Sequence, residues 1–255
     1  MFAGVRGILF DLDGVVHVGD EPIPGAVETL RYLQTKSVRY RFVTNTTTKS
    51  EEDLYLQMTG MGLPVERGMI FSTHRITAEY LRQMGNPRCY LLVADSVRGA
   101  YQGIPQSESS PQYVVIGDIG ERWNYHLLNR VFNMIMDGAE MIALHKGRYW
   151  STQAGLQMDI GAFVTGLEYT TGKKATVLGK PAAAFFETAL KDLGLQKHEV
   201  IMVGDDIDTD VAGAQQAGIR GVLVRTGKYR ADSVATSGVQ PDAVLDSISV
   251  LRQCF

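Results

Sequence analysis

Short apolar runs alternate with helical stripes at both ends of this chain, and that rhythm restricts the fold to a parallel sheet covered by helices. Ile8-Leu9-Phe10 is the first such run. In the stretch from Gly25 to Lys36 that follows, Ala26, Val27, Leu30 and Leu33 recur at helical spacing. Tyr40 to Val43 predicts a second strand, ending at Thr44-Asn45. Ser50-Glu51-Glu52-Asp53 has capping-box form for a helix with Leu54, Met58 and Met61 on one side and Gly62 at its end. Met69-Ile70-Phe71 predicts a third strand, and Thr73 to Met84 another helix. Near the other end, Pro181 suits the first turn of a helix through Leu193. Val200 to Val203 then predicts a strand, Asp208 to Ala217 a helix and Gly221 to Val224 a strand. Such units connect right-handedly, so the expected core is α/β: a doubly wound parallel sheet with helices on both faces.

The middle of the chain carries its own strand signals at Cys89–Val93, Tyr113–Ile116 and Met141–Leu144. Its helix signals lie at Asn124–Asp137 and Gly161–Thr171, and the Ser/Pro-rich stretch from Gln102 to Pro111 reads as a loop. About ninety residues exceed any βα connection, so residues 81–175 are expected to form a second α/β domain. It is inserted into a core made of 1–80 and 176–255. There is no internal repeat and no low-complexity tract.

Bulk properties exclude several functions. The chain has 255 residues, 45% of them hydrophobic and 21% charged, with a formal net charge of −3. That balance gives no attraction to nucleic acid or to a membrane surface. No apolar run approaches the roughly 20 residues that span a bilayer. The first residues lack the apolar core of a signal peptide and run straight into the first strand. Cys89 and Cys254 have no metal-ligand spacing and suit a reducing compartment, so the expected location is cytoplasmic.

Four chemistry-bearing features come in order, three of them at predicted strand ends. They are Asp11 with Asp13 in Asp11-Leu12-Asp13-Gly14-Val15, Thr44-Asn45, Gly179-Lys180-Pro181, and Gly204-Asp205-Asp206 with Asp210 beyond. In an open parallel sheet the carboxyl ends of the strands line the binding crevice. In extended backbone Asp11 and Asp13 share a face. One carboxylate can attack a phosphoryl group, and a second can protonate the leaving oxygen and then activate water. A hydroxyl, backbone N–H groups and a lysine can hold the equatorial oxygens, and Mg²⁺ takes carboxylate and water ligands.

At these residues the chain resembles the haloacid dehalogenase superfamily of hydrolases, most of whose members are Mg²⁺-dependent phosphatases with a Rossmann-like core. The resemblance implies Asp11 as nucleophile, Asp13 as general acid/base and Lys180 as the charge-stabilising lysine. It implies phosphate binding by Thr44 and Asn45 together with Asp11, Asp13 and Lys180. Mg²⁺ is implied on Asp11, Asp205 and the backbone carbonyl of Asp13, with Asp206 and Asp210 as supporting acids. The insertion resembles a C2-type cap of the NagD-like branch, subfamily IIA. Thr44-Asn45-Thr46-Thr47, His145-Lys146-Gly147-Arg148-Tyr149, Gly166-Leu167-Glu168-Tyr169 and Arg225-Thr226-Gly227-Lys228-Tyr229 are similar to a narrower group. That group holds the phospholysine phosphohistidine inorganic pyrophosphate phosphatases and the haloacid-dehalogenase-like hydrolase domain-containing protein 2 sequences. Thr46 stands where the nucleotidase branch usually has a second Asn, which argues against a nucleoside monophosphate substrate.

The expected activity is therefore hydrolysis of a small phosphorylated metabolite, pyrophosphate or an N–P compound through an aspartyl-phosphate. Phosphotransfer to an acceptor other than water and phosphometabolite binding without turnover are the alternatives. The core motifs hold only the phosphate, so leaving-group contacts are expected from the cap. Asp159 is the candidate for a cationic leaving group, and Arg148, with His145 and Lys146, for an anionic one. No nucleic-acid or membrane partner is expected, and a homodimer is compatible with the sequence.

Overall fold

The structure is a computed structural model that describes residues 2–152 and 155–255. The chain forms two compact units, one made of 1–44, 51–71 and 180–255, the other of 45–50 and 72–179.

The first unit is built on a six-stranded sheet. Its strands lie in the order Ala243–Leu245, Arg220–Val224, Val200–Gly204, Gly7–Phe10, Arg39–Thr44 and Ile70–Ser72. The pairings from Ala243–Leu245 across to Arg39–Thr44 are all parallel. Gly7–Phe10 is central, with Phe10 opposite Val203 on one side and Phe42 on the other. Burial on both faces explains its uninterrupted apolar sequence: Ile8, Leu9 and Phe10 are fully buried. Leu30 and Leu33 of the helix Ala26–Thr35, and Leu54 and Met58 of the helix Glu51–Gly60, pack into the same core as Ile8 and Phe10.

Two elements differ from the sequence expectation. Pro181 follows a cis peptide bond and precedes its helix, which begins only at Ala183, because Ala182 is extended (φ −59°, ψ 130°). The expected helix over Asp208–Ala217 divides into a π-helical turn, Ile207–Ala212, and an α-helical turn, Gly213–Gln216. The wide turn brings Asp210 back over Gly204, where a Cβ would overlap the Asp210 carboxylate.

The second unit has a four-stranded parallel sheet in the order Thr176–Val177, Glu140–Ala143, Tyr113–Ile116 and Cys89–Leu92. The helix Thr73–Gln83 belongs to this unit: its Ala78 and Leu81 pack with Cys89, Leu91, Val97 and Tyr101. The helices Tyr125–Met136 and Gly161–Thr171 cover a second cluster through Val131, Ile135, Val164 and Leu167. Asn124, read as a helix residue, is the N-cap, its side chain accepting a hydrogen bond from Leu127 N. An antiparallel hairpin, Tyr149–Thr152 with Gly155–Met158, completes the unit. Among the described residues no helix is long and apolar enough to cross a membrane.

Candidate active site

Parallel pairing sets the site. Gly7–Phe10 and Val200–Gly204 are neighbours in register, so Asp11 and Asp205 leave the same edge of the sheet. Asp11 N still donates to Val203 O at 3.0 Å, one residue past the strand. Carboxylate oxygens of Asp11, Asp205 and Asp210 all lie within 4.8 Å of one another.

Lys180 joins this cluster from a distant part of the chain. Its Nζ donates to Asp11 Oδ1 at 2.6 Å, to Asp210 Oδ1 at 2.7 Å and to Val43 O at 3.2 Å. The Lys180 and Asp210 side chains are 2% and 1% exposed. Burial disfavours the ammonium, yet the charges of Asp11 and Asp210 and their hydrogen bonds prevail, and the Lys180 pKa stands above the ordinary lysine value. Asp210 is pushed up to about 7, first by burial and then by Asp11 and Asp206, with Lys180 opposing. Asp210 Oδ2 also accepts from Asp206 N at 3.2 Å.

Asp205 is raised well above the carboxylate range by burial and by the charges of Asp11 and Asp210, with the Lys228 backbone and charge opposing. Its two oxygens differ. Oδ2 accepts from Lys228 N at 2.6 Å, whereas Oδ1 is buried and has no protein hydrogen-bond partner among the described residues. A buried orphan oxygen beside two further carboxylates fits a hard divalent cation, which takes oxygen ligands and offsets repulsion among the acids.

The remaining predicted residues lie as follows. Thr44 ends the strand Arg39–Thr44 and is buried. Asn45 opens the short segment 45–50 that belongs to the second unit. Asp206 caps the π-helical turn, accepting from Asp208 N and Thr209 N at 3.0 Å each. Asp13 does not sit in extended strand beside Asp11. The strand ends at Phe10, and the chain then turns, with Val15 N, Val16 N and His17 N all directed at Leu12 O. The alternation argument therefore has no strand to act on. The Asp13 side chain is 58% exposed, against 13% for Asp11, and lies 3.8 Å from His17 Nδ1. Its carboxylate is outside the cluster formed by Asp11, Asp205 and Asp210.

In the second unit, His145 is buried. Gly147 N donates to its Nδ1 at 3.0 Å, and its Nε2 lies 3.8 Å from Asp159 Oδ1. Asp159 Oδ1 also accepts from Ile160 N at 2.7 Å. Lys146 pairs with the buried Glu168 at 2.8 Å, which takes it out of any basic patch, while Arg148 remains exposed.

Sequence reasoning missed Thr226 and Lys228 as site residues. Thr226 Oγ1 donates to Gly14 O, and Lys228 Nζ stands 3.9 Å from Asp206 Oδ2. The available signal was position: Thr-Gly-Lys comes one residue after Arg220–Val224, a strand that ends at the same sheet edge.

Residues 8–104 match a family described as haloacid dehalogenase-like hydrolase, and residues 177–251 a second described as HAD-hydrolase-like. The bovine (Bos taurus) haloacid dehalogenase-like hydrolase domain-containing protein 2 is 44% identical over 227 residues, covering 89% of this chain and 86% of that protein. The chain belongs to the haloacid dehalogenase-like hydrolases. The bovine phospholysine phosphohistidine inorganic pyrophosphate phosphatase is 38% identical over 253 residues, covering 97% of this hydrolase and 93% of that protein. The crystal structure of a 4-nitrophenylphosphatase from Thermotoga maritima superposes with a TM-score of 0.92 at 27% identity, covering 98% and 97% of the two chains. NagD from E. coli K-12 shares the fold, with a TM-score of 0.87 at 23% identity over 96% and 97% of the chains. These likenesses set this hydrolase in the NagD-like branch, subfamily IIA, as a phosphohydrolase with an α/β Rossmann-like core.

Proposed function

We propose that this hydrolase is a Mg²⁺-dependent phosphatase that cleaves a small phosphorylated metabolite, pyrophosphate or an N–P compound through a phosphoryl group carried on Asp11. The observation behind this reading is the arrangement of Lys180 between Asp11 and Asp210, beside the orphan oxygen of Asp205.

Asp11, held by Lys180 at one oxygen, attacks phosphorus and displaces the leaving group. Asp13, outside the buried cluster and open to solvent, gives that group a proton. It then takes a proton from the water that cleaves the aspartyl-phosphate, releasing phosphate and restoring both carboxyl groups. Lys180, the Thr44 hydroxyl and the backbone at Asn45 hold the phosphoryl oxygens. Asp11, Asp205 and the backbone carbonyl of Asp13, with Asp210 close by, would hold the Mg²⁺, which when bound would screen an anionic nucleophile from an anionic substrate.

The phospholysine phosphohistidine inorganic pyrophosphate phosphatases are the relatives that direct the substrate reading toward pyrophosphate and N–P bonds. Phosphate release from phosphoesters, pyrophosphate and phosphoramidates, with Mg²⁺ or with EDTA, tests it. Turnover that requires Mg²⁺ supports the reading, and full turnover in excess EDTA contradicts it.

A further inference from the structure

We infer that the loop Thr226-Gly227-Lys228 is a positioning element that aims Asp205 at the divalent cation and so sets the affinity of this hydrolase for the metal. The inference rests on the metal reading above and extends it to residues with no assigned role.

The geometry is a clamp on one carboxylate oxygen. Lys228 N donates to Asp205 Oδ2 at 2.6 Å. Gly14 and Gly227 flank that same oxygen, and a Cβ at either position would overlap it. Both glycines have positive φ, +85° and +59°, which side chains rarely adopt. Two loops 212 residues apart in sequence thus close on Oδ2, and the Thr226 hydroxyl ties them by donating to Gly14 O. With Oδ2 fixed, rotation of the carboxyl is arrested and Oδ1 is held in its buried, unpartnered position. The Lys228 ammonium adds positive charge at the rim, with its side chain 46% exposed and 3.9 Å from Asp206.

A buried carboxylate oxygen without a hydrogen bond is costly unless something binds it. The clamp keeps that oxygen from turning toward a protein donor, so the cost is relieved by the cation. Partners that orient metal ligands in this way commonly alter metal affinity when changed, with no contact to the metal themselves.

Isothermal titration of the full chain with Mg²⁺ alone separates this role from a structural one. Thr226→Val keeps the side-chain shape and removes the tie, whereas Thr226→Ser retains the hydroxyl. Thr226→Val is expected to weaken Mg²⁺ binding about tenfold, and Thr226→Ser to stay within about twofold of wild type. Gly227→Ala, checked for folding by circular dichroism, is expected to lose more than Thr226→Val, since its Cβ displaces Oδ2. Wild-type affinity in both Thr226→Val and Gly227→Ala overturns the inference. A wild-type chain that takes up no Mg²⁺ overturns the metal reading itself, and the two failures are distinct.

Discussion

Lys180 Nζ lies 2.6 Å from Asp11 Oδ1, joining residues 169 positions apart in the chain. The same ammonium stands 2.7 Å from Asp210. It is the buried cation among three clustered acids, so it balances charge there as well as orienting Asp11. Removing one partner of a buried ion pair leaves the other charge uncompensated, at about 3–5 kcal/mol. Lys180→Met is expected to lower stability by that order in urea unfolding. It is also expected to cut kcat by about 10²–10³. Lys180→Arg is not expected to restore the rate, because a planar guanidinium cannot reproduce three convergent bonds from one nitrogen. A Lys180→Met enzyme with wild-type kcat contradicts the proposed role.

The exposure of Asp13 sets a different expectation from that of Asp11. As the proton donor, Asp13 matters most when the leaving group is a poor one. Asp13→Asn is expected to slow alkyl phosphates by about 10²–10⁴ and acidic aryl phosphates far less. Steady-state rates across leaving groups of graded pKa measure this. A uniform loss across the series contradicts a proton-transfer role.

Asp210 has a stability signature. Its pKa rises from 3.8 to about 7 on folding, so between those values the folded chain holds a proton that the unfolded chain releases. Stability from this group is therefore lost as pH rises from about 4 toward 7. In chelator, the Tm of wild type relative to Asp210→Asn is expected to fall by about 10 °C across that window. Added Mg²⁺ favours the ionised cluster, so its stabilising effect is expected to grow over the same range. A Tm difference that is flat with pH contradicts the assignment.

His74 gives the opposite sign. It is buried, with Nε2 2.9 Å from Thr47 O and Nδ1 2.9 Å from Tyr101 Oη. Burial pushes its pKa down to about 4, opposed by the bond to Thr47 and aided by His145. The folded chain keeps it neutral while the unfolded chain takes up a proton below about 6.5, so stability is lost as pH falls from 6.5 to 4. His74→Gln is expected to remove about 3 kcal/mol of that loss, read from unfolding at graded pH. An unchanged acid limb contradicts it.

What was legible in the sequence follows from period and from fixed spacing. Ile8-Leu9-Phe10 and Val200–Val203 are buried on both faces and so read as unbroken apolar runs. Acids at their ends then have to share a sheet edge. Asp210 was harder to read, since its place in the cluster depends on a π-helical turn that helix periodicity does not encode. The partners of Asp205 were hidden for another reason. Lys228 acts through its backbone N–H, which no residue type reveals, and Gly14 and Gly227 act by what they lack. His145 and Lys146 were read with Arg148 as a patch for an anionic group because a basic run after a strand shows nothing of the partners the fold brings to it. Glu168, 22 residues away from Lys146, supplies the buried partner. The strands Tyr149–Thr152 and Gly155–Met158 pair with each other and with no other strand among the described residues, and their sequence shows no long alternation.

The central claim is that Asp11 carries the phosphoryl group, and trapping it is the most direct measurement. Asp13→Asn slows hydrolysis of the intermediate, so mixing that variant with an aryl phosphate and Mg²⁺, quenching in acid and reducing with borohydride converts an acyl-phosphate to homoserine. Peptide mass spectrometry is expected to find homoserine at position 11 and at no other aspartate, with none formed in EDTA. Substrate turnover with Asp11 unmodified, or undiminished in Asp11→Asn, contradicts the account.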